Sequence, residues 1–297
     1  FSGCSSDLRV VLVGQERVGK SSAGNTILEK KEFDCKFSSS PLTLSCEKRE
    51  GDVQGRRVSV VDTPGLFSSQ LSEEEIAKAI SLAAPGPHVI LIVIQLNRFT
   101  KEEQETVKIL QEMFGEKLRN YTMALFTHGD DLKEAGVSIE TFISQNQPLR
   151  EIIRQCDGGY HVFNNRDKDL HQVTELVTKI NIIVQINGGS CYTNEMFQAA
   201  ERAIREEMEH LKRENPDIAC AKTRRQAEED NSFLKAVLME EDNSFLKAVL
   251  MGAGTGAAAG AAVGADVGAD VGADVGAAVG AVAGAVAVAV EKACIIQ

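Results

Sequence analysis

The chain has 297 residues and a formal net charge of −11, a length that suits one large domain or a domain with extensions. The acidic balance argues against nucleic-acid binding, because a phosphate backbone is bound by a basic face. We therefore expect no nucleic-acid partner. The seven cysteines are odd in number and show no C-x-x-C spacing, which is typical of reduced thiols in the cytosol rather than of a disulfide framework or a zinc site.

Composition divides the chain into four segments. Residues 7–190 have the mixed pattern of a globular domain, and residues 191–251 have charged and apolar residues at helical spacing. Residues 252–290 consist almost only of Gly, Ala, Val and Asp, and residues 291–297 form a short tail. We predict one globular domain, a helical extension, a low-complexity segment and a tail, in that order.

Residues 14–21, GQERVGKS, match the phosphate-binding pattern G-x-x-x-x-G-K-[ST]. An apolar run at 8–13 predicts a strand before the loop, and residues 21–31 predict a helix after it. We assign phosphate binding to the loop and the helix start, with Lys20 on the β/γ-phosphates and the Ser21 hydroxyl on Mg²⁺. The assigned residues are Gly14, Arg17, Val18, Gly19, Lys20, Ser21 and Ser22. The alternative is a glycine-rich turn that matches by chance.

A second motif, D-x-x-G, occupies residues 62–65 after a predicted strand at 57–61. Asp62 is predicted to bind Mg²⁺ through water, and the Gly65 N–H to contact the γ-phosphate. The polar stretch 33–45 lies where a GTPase has its first switch, and Thr43 is the candidate for sensing the γ-phosphate and Mg²⁺. Thr43 is alternatively an ordinary loop threonine, since several other hydroxyl residues lie nearby.

Leu66 follows Gly65, where Ras-like enzymes carry a glutamine that orients the attacking water. Leucine cannot hydrogen-bond water. We therefore expect slow GTP hydrolysis by the monomer unless another group, in the same chain or from a partner, orients the water.

A base-reading site is predicted after the apolar strand 121–126, in Thr127-His128-Gly129-Asp130-Asp131. The carboxylate of Asp130 can accept hydrogen bonds from N1–H and N2–H₂ of guanine, donors that adenine lacks. Threonine and histidine replace the asparagine and lysine of the N-K-x-D motif, and His128 is predicted to pack on the base. Asp131 is the fallback base reader, and a polar turn is the alternative. Asn164 and Asn165 follow a short predicted strand at 160–163 and are expected to approach the base.

The remaining pattern alternates strands and helices. Helices are predicted at 72–84, 100–114, 138–156 with a break near Pro148, and 167–186, and a buried strand at 88–96. This alternation predicts an α/β protein with a mostly parallel sheet and helices on both faces. With the motifs at residues 14–21 and 62–65, we predict a P-loop GTPase fold.

Together these segments resemble the GTPase of immunity-associated protein family (GIMAP, or immune-associated nucleotide-binding proteins, with an AIG1-type G domain), and its fish members in particular. The resemblance covers about residues 7–210 and is most specific in Ser22-Ala23-Gly24-Asn25-Thr26 and around residues 97–115. It implies GDP/GTP and Mg²⁺ binding, GTP-dependent dimerisation across the nucleotide face, and membrane attachment near the C-terminus. Members differ in how fast they hydrolyse GTP.

The C-terminal segment predicts a membrane partner. Glycine recurs every four residues from Gly252 to Gly284, a small-x-x-x-small stripe, although three aspartates at 266, 270 and 274 oppose insertion. A disordered low-complexity tail is the alternative. Cys294-Ile295-Ile296-Gln297 fits a C-a-a-X farnesylation site at Cys294, which needs a second membrane signal. We expect a cytoplasmic protein attached to the cytosolic face of an intracellular membrane.

Two functional classes remain open from sequence. In the first, the protein is a membrane-bound module whose GTP-dependent dimer or oligomer is the output. In the second, it is a GTP-hydrolysing switch that is activated by dimerisation or by a partner protein. Leu66 and the tail favour the first class.

Overall fold

A computed structural model describes residues 7–35, 45–65, 73–96, 107–108, 110–111, 113–167 and 169–238. Its strands are β1 (Leu8–Val13), β2 (Glu47–Val53), β3 (Arg56–Asp62), β4 (Val89–Gln95), β5 (Thr122–Thr127) and β6 (Tyr160–Val162). Its helices are α1 (Lys20–Ile27), α2 (Glu73–Ala83), α3 (Gly129–Ala135), α4 (Ile139–Gln145), α5 (Gln147–Gln155), α6 (His171–Ile186), α7 (Glu195–Glu214), α8 (Cys220–Glu229) and α9 (Ser232–Leu238). A 3₁₀ helix spans Glu116–Tyr121.

The six strands form one sheet in the order β2-β3-β1-β4-β5-β6. Only the β2–β3 pair is antiparallel, and the other pairs are parallel. All seven residues of β4 are buried, as expected for a central strand covered on both faces. The predicted α/β fold with a mostly parallel sheet is therefore confirmed. The carboxyl ends of β1, β3, β4, β5 and β6 lie at one edge, where such sheets place their ligands.

Strand β2 was not predicted from the sequence. Its residues, EKREGDV, are mostly polar and largely exposed. The strand lies at the edge of the sheet and pairs only with β3. An edge strand with a solvated face lacks the apolar run by which the central strands were recognised.

Two predicted helix boundaries were wrong at one end. Helix α1 ends at Ile27 rather than at residue 31, and Glu29 just beyond it has a left-handed φ of 56°. Helix α6 begins at His171 rather than at residue 167. Before it, the carboxylates of Asp167 and Asp169 accept hydrogen bonds from the backbone N–H groups two residues ahead, at 3.1 and 2.9 Å. Such local bonds offer the backbone an alternative to the helix.

The chain forms two compact units. The first contains the sheet with α1 and α3–α6, and the second contains α2 with α7, α8 and α9. The core of the first unit is built from apolar residues of the central strands and of α1 and α6. Among the residues that the structure describes, no helix is both long enough and apolar enough to cross a bilayer.

An ion-pair cluster centred on Arg224 joins the helices of the second unit. Its guanidinium donates to Glu201 at 2.7 Å, to Glu228 at 2.8 Å and to the carbonyl oxygen of Ala84 at 2.8 Å. The backbone carbonyl of Glu228 in turn accepts from the Ser81 hydroxyl at 2.8 Å. These bonds fasten α2 to α7 and α8.

Candidate functional site

The phosphate loop between β1 and α1 requires its two glycines. Gly14 has a φ of 149°, and a Cβ placed there would collide with the carbonyl oxygen of Val93. Gly19 has a φ of 93° and caps the N-terminus of α1. Both backbone conformations disfavour other residues. The loop therefore curls across the end of β1 and leads the chain into α1, whose first N–H groups lie beyond the reach of the intrahelical hydrogen-bond pattern.

Lys20 is buried at the first position of α1, with its side chain folded back over the loop. Its ammonium donates to the carbonyl oxygens of Gly14 at 3.1 Å and Gln15 at 2.6 Å. Burial lowers the pKa of Lys20 from 10.5 to about 8, against the opposing charges of Asp62 and Glu16. A buried ammonium that donates to backbone carbonyls is suited to an anionic partner, because a nearby negative charge would stabilise its protonated form.

Ser21 and Asp62 meet beside this lysine. The Ser21 hydroxyl donates to Asp62 Oδ2 at 2.5 Å, and Asp62 is 1% exposed. A hydroxyl and a carboxylate at the phosphate end are hard oxygen donors of the kind that hold Mg²⁺. No cluster of three or more His, Cys, Asp or Glu that could hold a metal occurs in the described part of the chain.

Gly65 of the D-x-x-G motif packs against the phosphate loop. A Cβ on Gly65 would collide with the Cγ of Glu16 and lie 2.9 Å from its backbone nitrogen. The neighbouring Thr63 donates its hydroxyl to Leu12 O at 2.8 Å, which fixes the end of β3 against β1. The structure thus brings the two predicted phosphate motifs into direct contact.

Thr127 occupies the position at which the N-K-x-D motif has asparagine. It is fully buried, and its hydroxyl donates to Val18 O at 2.7 Å. A short threonine therefore ties the end of β5 to the phosphate loop. His128 follows in a left-handed conformation, with φ 62°, and its Nδ1 lies 3.2 Å from the Thr127 hydroxyl. Sequence reasoning counted Thr127 only as a departure and missed its link to the loop.

Asp130 lies in the first turn of α3, and 18% of its side chain is exposed. Its Oδ2 accepts a hydrogen bond from Nη1 of Arg166 at 2.9 Å. Asp131 lies beside it in the same turn. The carboxylate that was predicted to read guanine is thus at the strand-end edge, paired with a cation that the sequence analysis did not single out.

The loop after β6 carries Asn164, and Gln172 on α6 holds it. The side-chain amide of Gln172 accepts from the Asn164 N–H at 3.0 Å and donates to the Asn164 carbonyl at 3.2 Å. The side-chain oxygen of Asn164 accepts from the Arg166 N–H at 3.0 Å. The loop lies against the turn between β5 and α3, where Gly129 N donates to Phe163 O at 3.0 Å. Gln172 belongs to no short motif, so no sequence pattern indicated its role.

Residues 8–212 match the AIG1 family over more than two thirds of the chain. The chain belongs to the AIG1 family. It is 38% identical over 197 residues to human "GTPase IMAP family member 8", covering 64% of this chain and 29% of that protein. It is 36% identical over 218 residues to "Immune-associated nucleotide-binding protein 9" of Arabidopsis thaliana, covering 69% of this chain and 64% of that protein. The chain thus spans less than two thirds of the length of either relative.

A solved structure with a similar arrangement is that of a dimerization-deficient mutant of Toc33 from Arabidopsis thaliana. It is 21% identical, covers 60% of this chain and 84% of its own, and has a TM-score of 0.48.

The AIG1-type extension of the phosphate loop, Gly24-Asn25-Thr26, has a structural role at each position. A Cβ on Gly24 would lie 2.7 Å from the ring of Phe33, so glycine makes room for that ring. The Asn25 side chain bonds Phe33 in both directions, accepting from its N–H at 2.8 Å and donating to its carbonyl at 2.9 Å. Thr26 donates to Asn165 Oδ1 at 2.9 Å. The extension therefore joins α1 both to the chain that enters residues 36–44 and to the loop after β6.

Several predicted functional residues lie outside the described part of the chain. They are Thr43, Leu66, the segment 97–106, the glycine-rich segment and Cys294. Of the remaining predicted residues, Arg17 is exposed in a left-handed conformation with φ 62°, Val18 is buried, and Ser22 lies partly buried in the first turn of α1.

Proposed function

We propose that this AIG1-family chain binds guanine nucleotides, GDP and GTP, together with Mg²⁺. The observation that carries the proposal is the meeting of Lys20, Ser21 and Asp62 at the start of α1. A buried ammonium, a hydroxyl and a buried carboxylate converge there around a loop whose backbone conformation depends on Gly14 and Gly19. The names of the curated relatives, a GTPase and a nucleotide-binding protein, agree with this chemistry.

At the phosphate end, each residue has a separate task. The N–H groups of the loop and the α1 start bind phosphate oxygens, and the Lys20 ammonium moves from the Gly14 and Gln15 carbonyls to the β/γ-phosphates. Ser21 would hold Mg²⁺ directly, Asp62 would hold it through water, and Thr43 is proposed to complete the set. When bound, the metal would supply positive charge that stabilises the negatively charged phosphate oxygens.

At the base end, Asp130 selects guanine. Its carboxylate accepts from N1–H and N2–H₂, while a bound adenine would leave it without these donors. His128 packs on the base, and the loop at Asn164 closes over its other side. The Thr127–Val18 bond fixes the distance between this end and the phosphate loop.

We further propose that the chain hydrolyses GTP slowly as a monomer and assembles through its nucleotide face. Leu66 offers no hydrogen bond to an attacking water, so a second copy or a partner has to supply the orienting group. The assembly is proposed to form at the cytosolic face of an intracellular membrane, from the glycine stripe and, where Gln297 is the terminal residue, a lipid on Cys294. The proposal of assembly at a membrane is supported by the sequence alone.

Equilibrium binding of GDP, GTP and ADP to the full chain tests nucleotide recognition. We expect GDP and GTP to bind, GTP to bind more weakly when Mg²⁺ is chelated, and ADP to bind at least about 100-fold more weakly because Asp130 would lose its donors. Lys20→Ala should abolish binding. Lys117→Ala, which removes an exposed lysine of the 3₁₀ helix, is the matched control. Equal binding of ADP and GDP would contradict the proposal.

GTP turnover per molecule, measured against protein concentration, separates the two functional classes. A rate that rises with concentration indicates that a dimer supplies the group that Leu66 lacks. A flat rate near zero with GTP bound indicates an assembly module or a missing activator. A flat, fast rate would contradict slow hydrolysis by the monomer.

A further inference from the structure

The base-reading carboxylate already has a partner from its own chain. Nη1 of Arg166 donates to Asp130 Oδ2 at 2.9 Å. The two side chains differ in setting, because Arg166 is 77% exposed and Asp130 is 18% exposed. The Arg166 backbone is fixed where it leaves β6, since its N–H donates to the Asn164 side chain at 3.0 Å. The stem is thus anchored at the base loop, while the charged head lies toward solvent.

The guanidinium group and the guanine edge present the same kind of donor to a carboxylate. Both are planar and carry N–H groups in a fork, and a carboxylate can accept either set. While Nη1 of Arg166 holds Oδ2, the guanine N1–H and N2–H₂ have to compete with the guanidinium for the same carboxylate. Adenine has no donors for Asp130 at that edge and does not compete with Arg166.

We propose that Arg166 is a specificity-determining residue that occupies Asp130 until guanine displaces it. This inference rests on the proposed function, because it assigns guanine recognition to Asp130. The pair lowers the affinity for guanine, since binding must first break it. The pair also gives Asp130 a hydrogen-bond partner when adenine is bound, which reduces the free-energy penalty of adenine binding. Arg166 thus narrows the preference for guanine over adenine, and its removal widens that preference.

The expected change is small and has a definite sign. The pair is partly exposed, and exposed ion pairs contribute little to stability, so Arg166→Ala should raise GDP affinity about threefold. The gain in GDP affinity should come from a higher association rate constant, because Arg166 no longer has to leave the Asp130 carboxylate before GDP binds. ADP affinity should stay unchanged or fall. The ratio of Arg166→Ala to wild-type affinity should approach one at high salt, where exposed charges are screened.

Stopped-flow and equilibrium binding of fluorescent GDP and ADP to the full chain test this, at low and high salt, with Mg²⁺. Arg166→Lys is the graded variant, since a lysine keeps the charge without the planar fork. It should fall between wild type and Arg166→Ala. Arg150→Ala removes an exposed arginine of α5 and is the matched control. It should bind GDP as wild type does.

The outcomes separate this inference from the function beneath it. Failure of wild type to bind GDP, or equal affinity for GDP and ADP, overturns guanine recognition itself. Normal guanine preference with unchanged or weaker GDP binding by Arg166→Ala overturns only the role of Arg166, and weaker binding would mean that Arg166 contacts the nucleotide instead. Faster and tighter GDP binding with a widened guanine preference supports the proposal.

Discussion

The phosphate end and the base end of the candidate site are built in contrasting ways. At the phosphate end, the charged groups are buried and fixed by backbone, as Lys20 is by the Gly14 and Gln15 carbonyls. At the base end, the charged groups of Asp130 and Arg166 form an ion pair in which 18% and 77% of the two side chains are exposed. Burial makes the charged groups of the phosphate end rigid, and keeping them without a ligand costs free energy. The ion pair at the base end is more exposed and can rearrange at little cost in free energy.

This difference predicts that the two ends respond differently to substitution. Changes at the phosphate end should cost stability, because they disturb buried groups. Changes at the base end should mainly alter affinity and selectivity. The predictions below test this division in order of decreasing effect on the free energy of unfolding.

Gly14→Ala should be the most damaging change. A Cβ at Gly14 collides with the Val93 carbonyl, and the φ of 149° is itself unfavourable for alanine. We expect a loss of about 4 kcal/mol in the free energy of unfolding, measured with urea. Gly55→Ala is the control, because Gly55 also has a left-handed φ, 77°, but no atom lies within 4 Å of its Cβ position. Equal losses in the two variants would mean that backbone strain, rather than the collision, sets the cost.

The burial of Lys20 should make the stability of the nucleotide-free protein depend on pH. The folded-state pKa is about 8 and the ordinary value is 10.5. Below pH 8 both states keep the proton and the burial penalty is complete. Between pH 8 and 10.5 the unfolded chain binds more protons at this residue, so its contribution to stability rises with pH.

Urea unfolding of wild type and Lys20→Met measures this contribution. Between pH 7 and pH 9.5 the stability advantage of Lys20→Met should shrink by about 2 kcal/mol, because each pKa unit corresponds to about 1.4 kcal/mol. Taking the difference between the two proteins cancels the other titrating groups. An advantage that stays constant with pH would show that Lys20 keeps its ordinary pKa.

Gln172→Leu tests the support of the base end. The change removes the paired bonds to the Asn164 backbone and should cost about 1–2 kcal/mol of stability. Hydrogen exchange at the Asn164 amide should speed up, and GDP affinity should fall about tenfold as the loop loosens. Gln185→Leu, at an exposed position of the same helix, is the control. Unchanged exchange at Asn164 would show that the loop does not depend on Gln172.

The same contrast explains what could be predicted from sequence. The phosphate end is encoded by contiguous motifs at residues 14–21 and 62–65, and the structure brings both together at the strand ends. The central strands were recognisable because burial on both faces requires continuous apolar runs. Strand β2 was not predicted because an edge strand does not need a continuous apolar run.

The base end is assembled from residues far apart in the chain, so the short pattern at residues 127–131 indicates only part of it. Thr127 was counted as a departure, yet its hydroxyl makes the link to Val18. Gln172 and Arg166 act through backbone and ion-pair contacts that depend on how the loop after β6 folds. A single sequence carries no signal for such partners, because any polar residue at those positions would look the same.

The most direct test of guanine recognition by this site compares two nucleotide bases, guanine and xanthine, in wild type and in Asp130→Asn. Asp130→Asn replaces a carboxylate oxygen with an NH₂ group, which would face the donors of guanine but can donate to the 2-oxygen of xanthine. Affinities of wild type and Asp130→Asn for GDP and xanthosine diphosphate should be measured side by side by calorimetry. We predict that the variant loses GDP binding by about 100-fold or more and gains xanthosine diphosphate binding, because the paired groups are inverted. Unchanged GDP binding by Asp130→Asn would contradict the account and move base recognition to another residue.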